Sequence, residues 1–117
     1  MNYLLDTSTI IDILRGKEST EKFISDHLED TFSTSCICEA EVAEGVYREN
    51  KENIPLRQKQ MKKLFSSFHQ VLQFNSDQAD VAGKIKAKLG KAGRLIDDLD
   101  ILIAAASLHL QAAIVTK

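Results

Sequence analysis

Short apolar segments alternate with longer stretches of helical periodicity along this chain of 117 residues. Strands are predicted over residues 2–5, 31–34, 70–74 and 112–115. Helices are predicted in between, where apolar residues recur every three or four positions, over residues 8–15, 19–29, 37–50, 56–68, 76–92 and 99–110. Strands separated by helices pair in parallel, and the helices then cover both faces of the sheet. The sequence therefore predicts an α/β protein with three layers, α/β/α, around a central parallel sheet.

Length and composition fit one globular domain that spans residues 1–117. A chain of this length buries enough surface for a single core, and its 44% apolar and 27% charged residues are ordinary for such a domain. The two cysteines, Cys36 and Cys38, are too close in sequence for an easy disulfide, which favours a reducing, cytoplasmic setting. The longest apolar run, 101–106, is too short to cross a bilayer, so no membrane association is expected.

The first predicted strand ends at a carboxylate. Asp6 follows Leu5 directly and is itself followed by the hydroxyl residues Thr7 and Ser8. Asp, Thr and Ser are all residue types that cap helix N-termini. In parallel sheets, however, ligands bind at the carboxyl ends of the strands, which is where Asp6 is predicted to lie. On these grounds Asp6 is either a helix cap or the first ligand of a metal site.

A second carboxylate, Asp100, lies within the most apolar helical stretch of the chain. All residues from 99 to 106 except Asp100 are apolar, which predicts a helix buried nearly all round. A lone buried carboxylate is strongly destabilising unless it is paired or binds a metal ion. Asp97 precedes it by three residues and shares its helix face. Both acids also suit the first turn of a helix, so a cap and a dipole role stay open for them.

A third group of acids lies on the predicted helix 37–50. Its members are Glu39, Glu41, Glu44 and Glu49. Glu41 and Glu44 face the same way, and spacing alone does not choose between them. Carboxylates gathered at one sheet edge repel each other unless a cation lies among them, and Mg²⁺ binds carboxylate, water and phosphate oxygens. Such a donor set is typical of metal-assisted hydrolysis of phosphodiester bonds.

Three ordered motifs resemble the PIN-domain family, in particular its VapC-type toxins. They are YLLDTSTIIDILRG at residues 3–16, EVAEG at 41–45 and IDDLDILIAAASLHLQAAIVTK at 96–117. Together they extend over essentially the whole chain. The resemblance implies a parallel sheet between helices and the activity of an endoribonuclease. It also implies a small antitoxin that holds the enzyme silent by occupying a groove near the site, and it suggests a homodimer.

The resemblance also implies roles for individual residues. The acids that it implies as ligands of Mg²⁺ or Mn²⁺, and as the groups that activate water, are Asp6, Glu41 and Asp100. Its Glu-x-x-x-Gly element thus selects Glu41 where spacing could not, and Asp97 becomes an accessory acid of the same metal site. Thr7 or Ser8 would orient a metal ligand or a water. With Asp6 as a ligand, we expect Thr7 or Ser8 to cap the first helix.

The sequence departs from the family pattern after the last predicted strand. The family usually continues with a Thr-x-Asp or Thr-x-Asn element, whereas this sequence stops at Thr116 and Lys117. Two interpretations stay open, a shortened chain and a sequence that is part of a longer one. In either case we expect a downstream acid and the last edge strand of the sheet to be missing. The alternative to an enzyme is accordingly a catalytically weak or inactive PIN-like module that binds protein or RNA.

Basic residues cluster just before the predicted helix that carries Asp100. No acid interrupts residues 84–94, and the candidates there for binding RNA phosphates are Lys84, Lys88, Lys91 and Arg94. Arg15, at the end of the first predicted helix, is a further candidate. A solvated helix face explains the same residues, since lysine is mostly exposed in any protein. The net charge of −2 does not itself indicate RNA binding, which would depend on this local patch.

Overall fold

The computed structural model describes residues 1–116, in which all the predicted strands and helices are present. The first half of the fold consists of β1 (Asn2–Leu5), α1 (Thr7–Leu14), α2 (Glu18–Asp26), β2 (Thr31–Ser35) and α3 (Cys36–Tyr47). The second half consists of a short 3₁₀ turn (Lys51–Asn53), α4 (Ile54–Ser67), β3 (Gln70–Leu72), α5 (Ser76–Lys91), α6 (Asp98–Leu110) and β4 (Ala113–Val115). Each strand is thus followed or preceded by helices, as the alternating pattern predicts.

The four strands form one parallel sheet in the order β3-β2-β1-β4. Leu4 of β1 is in register with Ser33 of β2 on one side and with Ile114 of β4 on the other. The chain steps from β1 to β2 to β3 in one direction and then returns across the sheet to β4. Because such crossovers are right-handed, α1 to α4 cover one face of the sheet, and α5 and α6 cover the other. The prediction of a three-layer α/β/α fold with a central parallel sheet is confirmed.

The core lies along the two central strands. Leu4 and Leu5 of β1 are completely buried and pack with Ile10 of α1 and Cys38 of α3. Burial of consecutive residues is expected for a parallel strand that has helices on both faces. A second, smaller cluster joins α5 to α6 and is centred on Ala105. Burial of both faces holds β1 rigidly. Asp6, the residue that follows it, therefore has a fixed place at the carboxyl ends of the strands.

Residues with a left-handed backbone end three of the helices. Gly16 follows α1 with a φ of 71°, and Gly93 follows α5 with a φ of 70°. Glycine adopts this conformation at no steric cost, which is why both helices end where the sequence predicts. Gln111, which ends α6, has a φ of 54° although it carries a side chain. The end of α6 therefore stores backbone strain that the other two helix ends do not.

Candidate metal and active site

The carboxyl ends of β1 and β4 lie side by side and form the edge at which Asp6 is placed. The backbone N–H of Asp6 donates to the carbonyl of Val115 over 3.2 Å, and the Thr9 hydroxyl donates to the same carbonyl over 2.8 Å. From β1 the chain leaves toward β2, whereas β4 lies on the opposite side of β1. The strand order therefore reverses between β1 and β4, and at such a point an open α/β sheet forms its ligand-binding crevice.

Asp6 itself is the N-cap of α1. Its Oδ1 accepts a hydrogen bond from the backbone N–H of Thr9 at 3.1 Å and another from the Ser8 hydroxyl at 2.9 Å. The expectation that Thr7 or Ser8 caps this helix is wrong, because Asp6 has the extended backbone of a cap and its side chain reaches the amide three residues on. Within residues 1–116 the other oxygen, Oδ2, has no hydrogen-bond partner. Capping α1 therefore leaves one oxygen of the Asp6 carboxylate available for another partner.

Glu41 is tied to the same edge by a hydroxyl. Its Oε1 accepts a hydrogen bond from Thr7 Oγ1 over 2.6 Å, which joins the start of α1 to the middle of α3. Glu44, the residue that spacing could not distinguish from Glu41, is exposed and forms an ion pair with Arg48 at 3.0 Å. The two glutamates thus differ in surroundings, and only Glu41 has a hydrogen bond to the segment that follows β1.

The acids of α6 lie at its first turn. Asp97 is the N-cap, and its Oδ1 accepts from the backbone N–H of Leu99 at 2.8 Å. Asp100 is exposed, as are all residues from 91 to 100, so the expectation of a buried Asp100 is wrong. Burial of α6 begins at Ile101 and continues through Ser107 along one side, because the helix starts in solvent and then passes over the core. Because Asp100 keeps its contact with solvent, burial gives no argument for a metal ion beside it.

The first turn of α6 faces the helix that bears Glu41. Leu99 and Leu102 of α6 line an open cleft of about 350 Å³ together with Ile37 and Glu41 of α3. No group of three His, Cys, Asp or Glu side chains in residues 1–116 is close enough together to hold one metal ion. The donors at this edge are all carboxylate oxygens, which are the ligands that Mg²⁺ and Mn²⁺ prefer. The donor chemistry thus fits a hard divalent cation, although the carboxylates do not converge on one point.

A buried thiol also borders this region. Cys38 of α3 is fully buried, close to the side chains of Thr34 and Thr7. Burial raises the pKa of the Cys38 thiol, and the nearby Thr34 and Thr7 hydroxyls oppose this rise only in part. Cys38 is not among the candidate site residues that the sequence motifs indicate. No sequence signal connects Cys38 with the segment that follows β1, because Thr7 lies 31 positions earlier in the chain.

The five basic candidates are not equivalent. Lys84 forms an ion pair with Asp80 at 3.0 Å, whereas Lys88, Lys91 and Arg94 form none within residues 1–116. All four are exposed on α5 or just beyond it, in the segment that leads into α6. Arg15 lies at the opposite end of α1 from Asp6, about 13 Å away along the helix at 1.5 Å per residue. The structure therefore separates Arg15 from the edge that carries the acids.

Arg15 instead borders a groove between α1, α3 and α4. The groove has a volume of about 450 Å³. Its apolar lining residues are Ile11, Leu14, Val42 and Val46. Its polar lining residues are Arg15, Glu49, Arg57 and Gln60. Arg57 donates to Glu49 at 3.3 Å and to Gln60 at 3.0 Å, so Arg15 is the guanidinium of this groove that has no partner within the described residues. None of the helices formed by residues 1–116 is long and apolar enough to cross a membrane.

Comparison with known proteins agrees with these observations. Residues 3–117 match the family model of the PIN domain. Ribonuclease VapC2 and Ribonuclease VapC, from two strains of Haemophilus influenzae, are each 30% identical to this chain over 105 residues, which are 90% of this chain and 77% of the relative.

Solved structures show the same fold. VapBC-1 from nontypeable Haemophilus influenzae superposes with a TM-score of 0.84 at 26% identity, over 99% of this chain and 86% of that one. FitAcB from Neisseria gonorrhoeae superposes with a TM-score of 0.87 at 24% identity, over 97% and 86%. VapBC2 from Rickettsia felis, solved bound to a DNA fragment from its promoter, has a TM-score of 0.85 at 22% identity, over 99% and 86%. With its family model matched over nearly the whole length, this chain belongs to the PIN-domain family.

Proposed function

We propose that this protein is a metal-dependent endoribonuclease that hydrolyses RNA phosphodiester bonds, and that it is the toxin of a toxin–antitoxin pair. One observation carries the proposal. In a chain 30% identical to VapC ribonucleases, the acids Asp6 and Glu41 each accept a hydroxyl hydrogen bond at the carboxyl edge of the parallel sheet. Ser8 and Thr7 supply these hydroxyls and so orient the two carboxylates. Oriented oxygens are what a metal site requires of its ligands.

The residues that would hold Mg²⁺ or Mn²⁺ are Asp6, Glu41 and Asp100, with Asp97 as an accessory acid. When bound, the ion lowers the pKa of a water and offsets the negative charge that develops on the leaving oxygen. Asp100 is exposed and its side chain is free to turn, whereas hydroxyls already hold Asp6 and Glu41. Asp100 is therefore the ligand that would move most on metal binding.

The RNA would lie along α5 and reach the acids at the start of α6. Lys88, Lys91 and Arg94 are the strongest candidates for contacts with phosphate, because they are exposed and have no ion-pair partner within residues 1–116. Lys84 would exchange its partner Asp80 for a phosphate. Arg15 would contact the RNA away from the cleaved bond. Few aromatic residues accompany these cations, so contacts with phosphate rather than base stacking would dominate RNA binding.

The antitoxin would occupy the groove between α1, α3 and α4. An apolar floor with a charged rim suits an amphipathic helix, whose apolar face buries while its edges form polar contacts. The unpaired Arg15 would then bind an acid of the antitoxin. We further expect a homodimer in a cytoplasmic setting, which suits the unbridged cysteines Cys36 and Cys38.

Cleavage of single-stranded RNA by the purified protein tests this function directly. We expect cleavage with Mn²⁺ or Mg²⁺ and none with a chelator. The cleavage rate should fall at least about 100-fold in Asp6→Asn, Glu41→Gln and Asp100→Asn, because a bound metal ion both activates the water and stabilises the leaving oxygen. Asp77→Asn is the matched control, because Asp77 is an exposed acid in the first turn of α5 as Asp100 is in α6.

Equal cleavage by the parent and by the three acid variants would come from a contaminating nuclease and would contradict the proposal. Retarded RNA migration in a gel without cleavage under any metal condition would favour the alternative, a PIN-like module that binds RNA or protein. A small open reading frame directly upstream that encodes a DNA-binding protein would support the toxin role.

A further inference from the structure

Positive charge is concentrated on α4, and neither the proposed site nor the groove gives its three lysines a role. No acidic residue occurs from 53 to 76, a stretch whose basic residues, all on α4, are Arg57, Lys59, Lys62 and Lys63. Because these four residues contribute +4 to a chain whose net charge is −2, the rest of the chain carries −6. Basic residues gathered on one element in this way are typical of a surface that binds a polyanion.

The three lysines lie on the side of α4 that faces away from the core. The core side of the helix consists of apolar residues that recur every three or four positions, namely Met61, Leu64, Phe65 and Phe68. Lys59, Lys62 and Lys63 have the same spacing on the opposite side, and all three are exposed. None of them lines the groove between α1, α3 and α4, to which this helix contributes Arg57 and Gln60. The lysines therefore form a separate outward surface.

The α4 lysines differ from cations on three other helices, which are paired with an acid one turn away. These pairs, each at 3.0 Å, are Lys22–Asp26 on α2, Arg48–Glu44 on α3 and Lys84–Asp80 on α5. In the described part of the chain, the α4 lysines have neither an ion pair nor a side-chain hydrogen bond. Lys59 and Lys63 are instead four positions apart, where like charges repel. An external anion would turn this unfavourable arrangement into a favourable one.

This surface is well separated from the acids of the proposed metal site. The C-terminal half of α4 leads into β3, which begins at the amino end of the parallel sheet. Asp6 follows the carboxyl end of β1, two strands away from β3. An anion on the α4 lysines would therefore not belong to the bond that is cleaved.

We propose that Lys59, Lys62 and Lys63 form a second phosphate-binding surface, which holds the body of a folded RNA substrate away from the cleaved bond. Contacts with phosphate fix the position of a nucleic acid without reading its sequence. The inference rests on the proposed function, because it takes the substrate to be RNA. The protein measures 45 × 36 × 24 Å. An RNA hairpin of about 20 base pairs, at roughly 3 Å of rise per pair, exceeds each of these dimensions and can reach both α4 and the acids.

The double variant Lys59→Gln with Lys63→Gln tests this surface, because glutamine removes the charge and keeps a strong helix former. Its affinity for a fluorescently labelled RNA hairpin is measured by anisotropy in the presence of a chelator, so that no metal-dependent cleavage takes place. We expect binding about 10- to 50-fold weaker than that of the parent at about 0.1 M salt, since each phosphate contact releases roughly one counterion. The slope of log K against log salt should become shallower by about 1 to 2.

The matched control is the double variant Lys22→Gln with Arg48→Gln. It also removes two positive charges from exposed helix positions, but each of these cations is already paired with an acid. We expect it to bind the hairpin within about three-fold of the parent, because salt screens exposed charges that lie far from the RNA. Thermal unfolding checks the fold, and Lys59→Gln with Lys63→Gln should unfold at no lower temperature than the parent, since it removes a repulsion.

Equal affinity of the parent and of Lys59→Gln with Lys63→Gln for the hairpin would overturn the proposal, whether or not the parent cleaves RNA. The same holds if that variant loses only the binding of an acidic partner protein. A DNA duplex of equal length that the parent binds more tightly than RNA through these lysines would assign the surface to DNA and overturn its assignment to the substrate. A parent that binds the hairpin through α4 but cleaves no RNA would contradict the proposed function and support the surface.

Discussion

The two oxygens of the Asp6 carboxylate have different surroundings, and this bears on the choice between a helix cap and a metal ligand. Oδ1 accepts from the Thr9 amide and the Ser8 hydroxyl, whereas Oδ2 has no hydrogen bond within the described residues. A carboxylate has about four lone-pair directions, so one oxygen can cap a helix while the other binds a cation. Taking the two roles as exclusive leads to the expectation that Thr7 or Ser8 is the cap. Thr7 instead donates to Glu41.

Ser33 supplies a stability prediction at the same scale. Its side chain is 1% exposed in the middle of β2, and its hydroxyl has no hydrogen-bond partner within residues 1–116. A buried hydroxyl without a partner has lost its hydration with no compensation. Ser33→Ala should therefore leave the free energy of unfolding unchanged or raise it by up to about 1 kcal/mol, as measured by urea denaturation.

Thr34, the next residue along β2, provides the opposite case. It is equally buried, but its hydroxyl donates to the Leu5 carbonyl at 2.8 Å. Thr34→Val keeps the shape and leaves that carbonyl without its side-chain donor, so it should lower the free energy of unfolding by about 1 kcal/mol. If Ser33→Ala destabilises the protein as much as Thr34→Val does, the Ser33 hydroxyl has a partner and the prediction is wrong.

Among the elements, α6 shows where sequence patterns stop being informative. The apolar run from 99 to 106 identifies a helix correctly, and its composition predicts burial all round. Burial is a property of tertiary packing, and the first turn of α6 lies in solvent before the helix reaches the core at Ile101. The composition thus predicts a buried Asp100, whereas Asp100 is exposed. Helical periodicity likewise could not separate Glu41 from Glu44, because the hydrogen bond from Thr7 spans 34 residues of sequence.

The end of α6 supplies a prediction for this element. Gln111 has a φ of 54°, a left-handed conformation that is unfavourable for residues with a Cβ atom and routine for glycine. Gln111→Gly should raise the free energy of unfolding by about 0.5–1 kcal/mol, the relief of strain being offset in part by the greater freedom of glycine in the unfolded chain. Gln111→Ala is the control, and it should show no such gain in urea denaturation. Equal stability of the two variants would mean that the left-handed conformation is not strained.

For the whole molecule, the order of the strands determines where a site can form. Alternation of strands and helices predicts a parallel sheet, but it does not predict the order β3-β2-β1-β4. That order places the carboxyl ends of β1 and β4 together, which brings Asp6 within hydrogen-bonding distance of Val115, 109 positions later. Motif resemblance supplied Asp6, Glu41 and Asp100 as a set. Their arrangement depends on how the helices pack, which is not a property of the sequence alone.

A metal ion bound by the three proposed ligands would link the end of β1 to α3 and α6, so it should stabilise the whole fold. A ligand that binds only the native state adds about 2.7 kcal/mol at a concentration 100 times its dissociation constant. For a domain of this size, that free energy corresponds to an increase in unfolding temperature of roughly 10 °C. We expect Mn²⁺ to produce such an increase in the parent and in Asp77→Asn, and a much smaller one in Asp6→Asn and Asp100→Asn. Calorimetric scans at fixed ionic strength measure it without RNA. Removal of one charged ligand from a site made only of carboxylates should weaken Mn²⁺ binding strongly and change the fold little. An equal increase in the unfolding temperature of Asp6→Asn would therefore show that Mn²⁺ binds elsewhere.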